Sequence, residues 1–160
     1  MKFSIFEIKA GWFEVMLNDQ IIITNSYYMG NDAPRILIKN LVQMFSLESG
    51  IIRLCWQDEP GALIWKFEVN NGKVNTKILD CNIENTYKLQ YEGRSLDVFD
   101  DSEIFFEAKD SLYNLALNVY HEFKNYSNGD MLKHYEKEWM PFPHEELNKL
   151  GDILKSKRIK

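Results

Sequence analysis

The chain is poor in the residue types and motifs that usually announce chemistry. Its 160 residues hold two cysteines, four prolines and three histidines. Cys55 and Cys81 are too few for a disulfide framework, and their separation matches no metal-ligand spacing. They read as two thiols in a reducing cytoplasm. The longest uncharged run, Gln20 to Asn31, has twelve residues, several of them polar. A membrane-spanning helix needs about 20 largely apolar residues. Glu7 and Lys9 interrupt the stretch where a signal peptide would place its apolar segment. No membrane partner and a cytoplasmic location are therefore expected. No repeat, low-complexity tract or linker divides the chain, so residues 1–160 read as one globular domain.

Catalytic signatures are equally scarce. Neither of the glycine-rich phosphate-binding motifs occurs, and there is no serine nucleophile elbow. His121-Glu122 begins like a zinc-protease helix, but no second histidine follows. The carboxylate pairs Asp58-Glu59, Asp100-Asp101 and Glu145-Glu146 fall in expected turns or at a helix start. There water keeps both members ionised and prevents the separation of pKa values that acid–base catalysis requires. Cys55 beside Trp56 has no basic neighbour except Arg53, and reads as packing. These absences point to a non-enzymatic protein with no metal and no cofactor.

What is present is ordinary core material. Hydrophobic residues make up 45% and charged residues 27%, with ten Phe, eight Tyr and four Trp. Phe3 and Ile5, then Phe13, Val15 and Leu17, alternate with polar or smaller neighbours. Gln20 to Thr24 is rich in β-branched residues, and Asn18-Asp19 suits the turn between strands. A helix is predicted from about Ala33 to Glu48, with Asp32 at its N-cap, Pro34 in its first turn and Gly50 as its stop. Ile52, Leu54 and Trp56 alternate in one strand, and Leu63, Trp65, Phe67 and Val69 in the next. Glu59-Pro60-Gly61-Ala62 reads as the turn between them, and Asn71-Gly72 as a tight hairpin leading to Lys73–Leu79. Tyr87, Leu89 and Tyr91 suggest a further strand, residues 93–102 an acidic loop, and Glu103–Ala108 a last strand with Ile104 and Phe106 inward.

The C-terminal third has helical periodicity. Leu112, Leu115, Ala116, Val119 and Phe123 share one face behind an Asp110 or Ser111 cap, and Asn128-Gly129 is the expected end. A short helix over 131–137 and a last one opened by Pro143 follow. The expected class is α+β: an antiparallel β-sheet of about six to eight strands, with one mid-chain helix and C-terminal helices packed on one face.

Charge is unevenly spread. Residues 92–110 hold seven acids against two bases, a surplus equal to the net charge of −5 for the whole chain. An acidic pI of about 5.3 does not suit nucleic acid or an anionic membrane. A concentrated acidic segment suits a basic protein partner, and Asp97, Asp100, Asp101 and Glu103 are the candidate contact residues.

Three stretches carry a resemblance. They are Ser26-Tyr27-Tyr28 leading to Asp32-Ala33-Pro34, then Trp56-Gln57-Asp58-Glu59-Pro60-Gly61 with Trp65, and Pro141-Phe142-Pro143-His144-Glu145-Glu146-Leu147. Their order and spacing resemble a group of small bacterial cytoplasmic proteins, some similar to immunity proteins of polymorphic toxin systems. That resemblance implies a protein that binds and neutralises a cognate toxin. The competing expectations are a small-molecule binder or enzyme whose site no motif reveals, and a homo-oligomer subunit that pairs through an exposed sheet edge.

Overall fold

The computed structural model describes residues 1–29, 31–57, 61–81 and 95–158. Strands β1 (Phe3–Lys9), β2 (Trp12–Leu17) and β3 (Ile21–Ser26) form an antiparallel meander. Helix α1 (Ala33–Met44) follows, and β4 (Ser49–Gln57), β5 (Ala62–Asn70), β6 (Lys73–Cys81) and β7 (Ile104–Ser111) form a second meander. Helices α2 (Leu112–Asn125), α3 (Gly129–Glu138) and α4 (His144–Arg158) close the fold. The class is α+β, and the seven strands of the described residues form two sheets where one was expected. The turn at 58–60 and the strand around Tyr87–Tyr91 lie outside the described residues.

The division has a physical cause. After β3 the chain leaves into a 3₁₀ turn (Tyr27–Met29) and α1, and side-chain amides stand between β3 and β4. The Gln57 N–H donates to Asn25 Oδ1 at 3.0 Å, and Asn31 Nδ2 donates to the Cys55 carbonyl at 3.0 Å. Asn25 is fully buried, so its bond satisfies a group that water cannot reach.

Local chemistry explains most boundaries. Asn71 and Gly72 take φ of 48° and 74°, which lets the β5–β6 hairpin twist with its strands. Asp32 caps α1 by accepting from the Arg35 N–H, and Ser111 caps α2 by accepting from Asn114. Helix α1 ends at Met44, four residues before the expected Glu48. The Glu48 carbonyl instead accepts from the Asn71 N–H and belongs to the β4 approach. Helix α2 stops at Asn125, and Gly129 (φ 61°) opens α3 rather than ending α2. Ile104 is a correction too. The β6–β7 register shifts between Ile78 and Leu79, so Ile104 pairs with Leu79 and is half exposed on the outer face. Phe106 alone of the two packs against the core.

One main core lies between the inner sheet faces and the helices. Trp56 and Trp65 stack at 5.1 Å from adjacent strands, and both are fully buried. Phe13 sits among Trp56, Phe123, Tyr135 and Trp139, with ring centroids 5.5–6.3 Å away. Trp56, Trp65, Phe67, Leu112, Leu115, Val119 and Phe123 share this core, as their periodicity predicts. Gly151 lies inside α4. A Cβ there would meet the Tyr120 ring of α2 at 2.8 Å, so its small size sets the α2–α4 approach.

The outer edge of β1 is closed by helix side chains. Glu122 accepts from the Ile5 N–H, Glu138 accepts from the Ala10 N–H, and a His134 ring nitrogen lies 2.8 Å from the Ile8 carbonyl. Such caps stop a sheet edge from recruiting another strand.

Candidate binding surface

The acidic segment lies on the face of the second sheet opposite the helices. A 3₁₀ turn over Leu96–Phe99 buries Phe99 against Ala62, Ile64, Leu79 and Cys81, with Cys55 and Leu96 at the margin of this small second core. The expected acidic loop is thus anchored over its described part. No helical or strand period marks it, which is why sequence reading leaves it as loop.

Asp100 fixes the turn electrostatically. Its carboxylate accepts from Arg53 Nε at 2.8 Å and lies 2.9 Å from Lys66 Nζ. Arg53 and Lys66 are register partners on β4 and β5, and without Asp100 they would leave two like charges side by side on the outer face. The Arg53 hydrogen bond, aided by Lys66, holds the Asp100 carboxyl down to about 2. Further along the same face, Glu68 lies between Lys66 (3.4 Å) and Lys77 (3.0 Å). Burial pushes the Glu68 carboxyl up, but bonds from Lys77 and Asn75 bring it below the usual range. This chain of ion pairs crosses β4, β5 and β6, and takes Asp100 out of the set of available acids.

The other three candidates stand differently. Asp97, Asp101 and Glu103 are exposed, and none forms an ion pair among the described residues. Asp97 is drawn below the usual carboxylate range by a Ser95 hydrogen bond. Interleaved with them are large apolar side chains left in solvent: Val98 (54% exposed), Ile104 (49%) and Phe105 (49%). The exposed apolar trio was not legible in the sequence. Ile104 is exposed only because Phe105 adds a residue to the strand.

Several of the other described motif residues pair or pack within the fold. Two of the three resembling stretches, those that hold Tyr27 with Asp32 and Pro141 with Glu146, come together where α1 meets α4. Arg35 donates to Asp32, to both Glu146 oxygens and to the Pro141 carbonyl, while Trp139 Nε1 donates to Asp32 and the Tyr27 ring lies 6.2 Å from the Trp139 ring. Burial pushes the Glu146 carboxyl up, and its own helix-start N–H and Arg35 pull it below the ordinary range. Glu145 pairs with Lys149. His121 is exposed on α2, His134 faces β1, and the His144 ring lies tilted against Phe142 at 4.7 Å. Among the described residues no group of three or more His, Cys, Asp or Glu is placed to hold a metal ion. Among the same residues no helix is long and apolar enough to cross a membrane. Comparison with protein-family models, curated proteins and solved structures returned no match for this chain.

Proposed function

We propose that this chain is a non-enzymatic binding protein, and that the surface formed by Asp97, Val98, Asp101, Glu103, Ile104 and Phe105 takes a basic protein partner. One observation carries the reading: exposed apolar side chains stand among carboxylates that form no ion pair with the described residues, on an anchored segment. Apolar groups supply contact energy at the centre of an interface, whereas carboxylates at its rim steer a partner of opposite sign. Asp100 supports this surface from beneath and belongs to its foundation. The resemblance narrows the partner to a toxin domain, with this chain as its immunity protein in a bacterial cytoplasm.

The test begins with a partner captured from the native cell and identified by mass spectrometry. Changing Asp97 and Asp101 to Asn and Glu103 to Gln should slow association by about tenfold at low salt and much less at high salt. The melting temperature should barely move, because exposed charges add little stability. An association rate indifferent to both salt and these substitutions would remove the acidic surface from the interaction.

A further inference from the structure

The two outer edges of the fold are treated differently. Edge β1 is capped at Ile5 and Ile8, and just past its end at Ala10, by helix side chains. Edge β7 pairs only with β6 among the described residues. Its hydrogen-bond phase follows from one contact: the Leu112 N–H donates to the Gly72 carbonyl, and the register continues through Val74↔Asp110 and Thr76↔Ala108. In an antiparallel ladder such bonded pairs alternate with pairs whose N–H and C=O groups face away. Glu107 and Lys109 therefore turn their backbone groups outward. Ser111 also faces outward, but its N–H donates to Asp110 Oδ1 at 2.7 Å. The backbone groups of Glu107 and Lys109 have no described partner, and the sequence carries no proline to blunt this strand.

Charge selects the occupant. In a two-fold antiparallel pairing of β7 with itself, the outward residues must face outward residues. Centring on Ala108 sets Glu107 opposite Lys109 twice, with a small side chain at the axis. Sliding by one step in either direction sets Glu107 against Glu107 or Lys109 against Lys109. Opposite charges directly across a strand pair stabilise it and like charges oppose it, so one register is favoured and its neighbours are disfavoured. Lys109 has no ion-pair partner among the described residues, and Glu107 is only 3.9 Å from Lys77, which is already committed to Glu68.

We infer that the edge of β7 binds β7 of a second copy of this chain, centred on Ala108, joining two four-stranded sheets into one of eight. This rests on the edge alone and is independent of the basic partner proposed above.

Sedimentation equilibrium of the full chain tests it. The wild-type protein should show a concentration-dependent dimer that weakens with salt. Glu107→Lys and Lys109→Glu should each weaken it by about tenfold, because each places two like-charged pairs across the axis. The double exchange, Glu107→Lys with Lys109→Glu, should restore it. Lys109→Pro should abolish it while preserving the β6–β7 ladder, since the N–H it removes points outward. A circular-dichroism melt identifies any variant that has unfolded, and the charge-exchange pair decides the matter if the proline variant does. A monomer at all concentrations overturns the inference. So does a dimer that the double exchange fails to restore, or a monomer that takes up a lysine-rich strand peptide at this edge instead.

Discussion

At Asp100 one carboxylate ties a surface turn to two strands, and its titration reports that tie. An unfolded aspartate titrates near about 3.9, whereas here Arg53 and Lys66 hold the group to about 2. A depressed carboxyl contributes stability above its unfolded value, and that contribution fades as pH falls through the folded value. Asp100→Asn should therefore cost about 1–2 kcal/mol near neutral pH, for the loss of a partly exposed charged hydrogen bond. The gap between wild type and variant should close between about pH 4 and about pH 2. Denaturant midpoints across that range measure it, and a constant gap would separate Asp100 from the acid transition. The same residue shows why charge pattern alone overcounts a binding face. Sequence marks four acids alike, but one of them lies within reach of Arg53 and Lys66 from strands remote in sequence.

Among elements, β5 is the best determined, because it is central in its sheet and carries Trp65 and Phe67 into the core. Trp65→Ala removes a fully buried ring stacked on Trp56 and should cost about 3–5 kcal/mol in a denaturant titration. A loss under about 1 kcal/mol would contradict the β4–β5 register. Elements of this kind were legible beforehand. Period-two alternation in β4 and β5, the Asn71-Gly72 turn and the apolar stripe of α2 are all local signals, and local geometry obeys them. The illegible parts depend on distant partners or on a change of phase. The bulge at Phe105 reverses which face Ile104 occupies, and no single-strand pattern records an added residue. The turn at Leu96–Phe99 is too short for periodicity, and its identity comes from Ala62, Ile64 and Leu79 beneath it.

On the scale of the whole molecule, the structure is held by joints between segments far apart in sequence. Arg35 reaches Glu146 across 111 positions, and Asn25 reaches Gln57 across 32. Asparagines near strand ends read as turn residues, so sequence hides their use as joints between sheets. These joints make the boundary between β3 and β4 a line along which the fold can part. A continuous ladder spreads the cost of opening over many backbone bonds, whereas among the described residues the hydrogen-bonded part of this connection rests on two side-chain amides. Amide exchange should reveal a graded molecule, with the Gln57 amide released by local opening and the β5 amides only by global unfolding. Asn25→Ala should speed exchange at Gln57 well beyond its effect on β5, and equal acceleration at both would mean that the two sheets open as one. A protein joined in this way relies on its shared aromatic core, and not on a backbone ladder, to keep its first meander against its second.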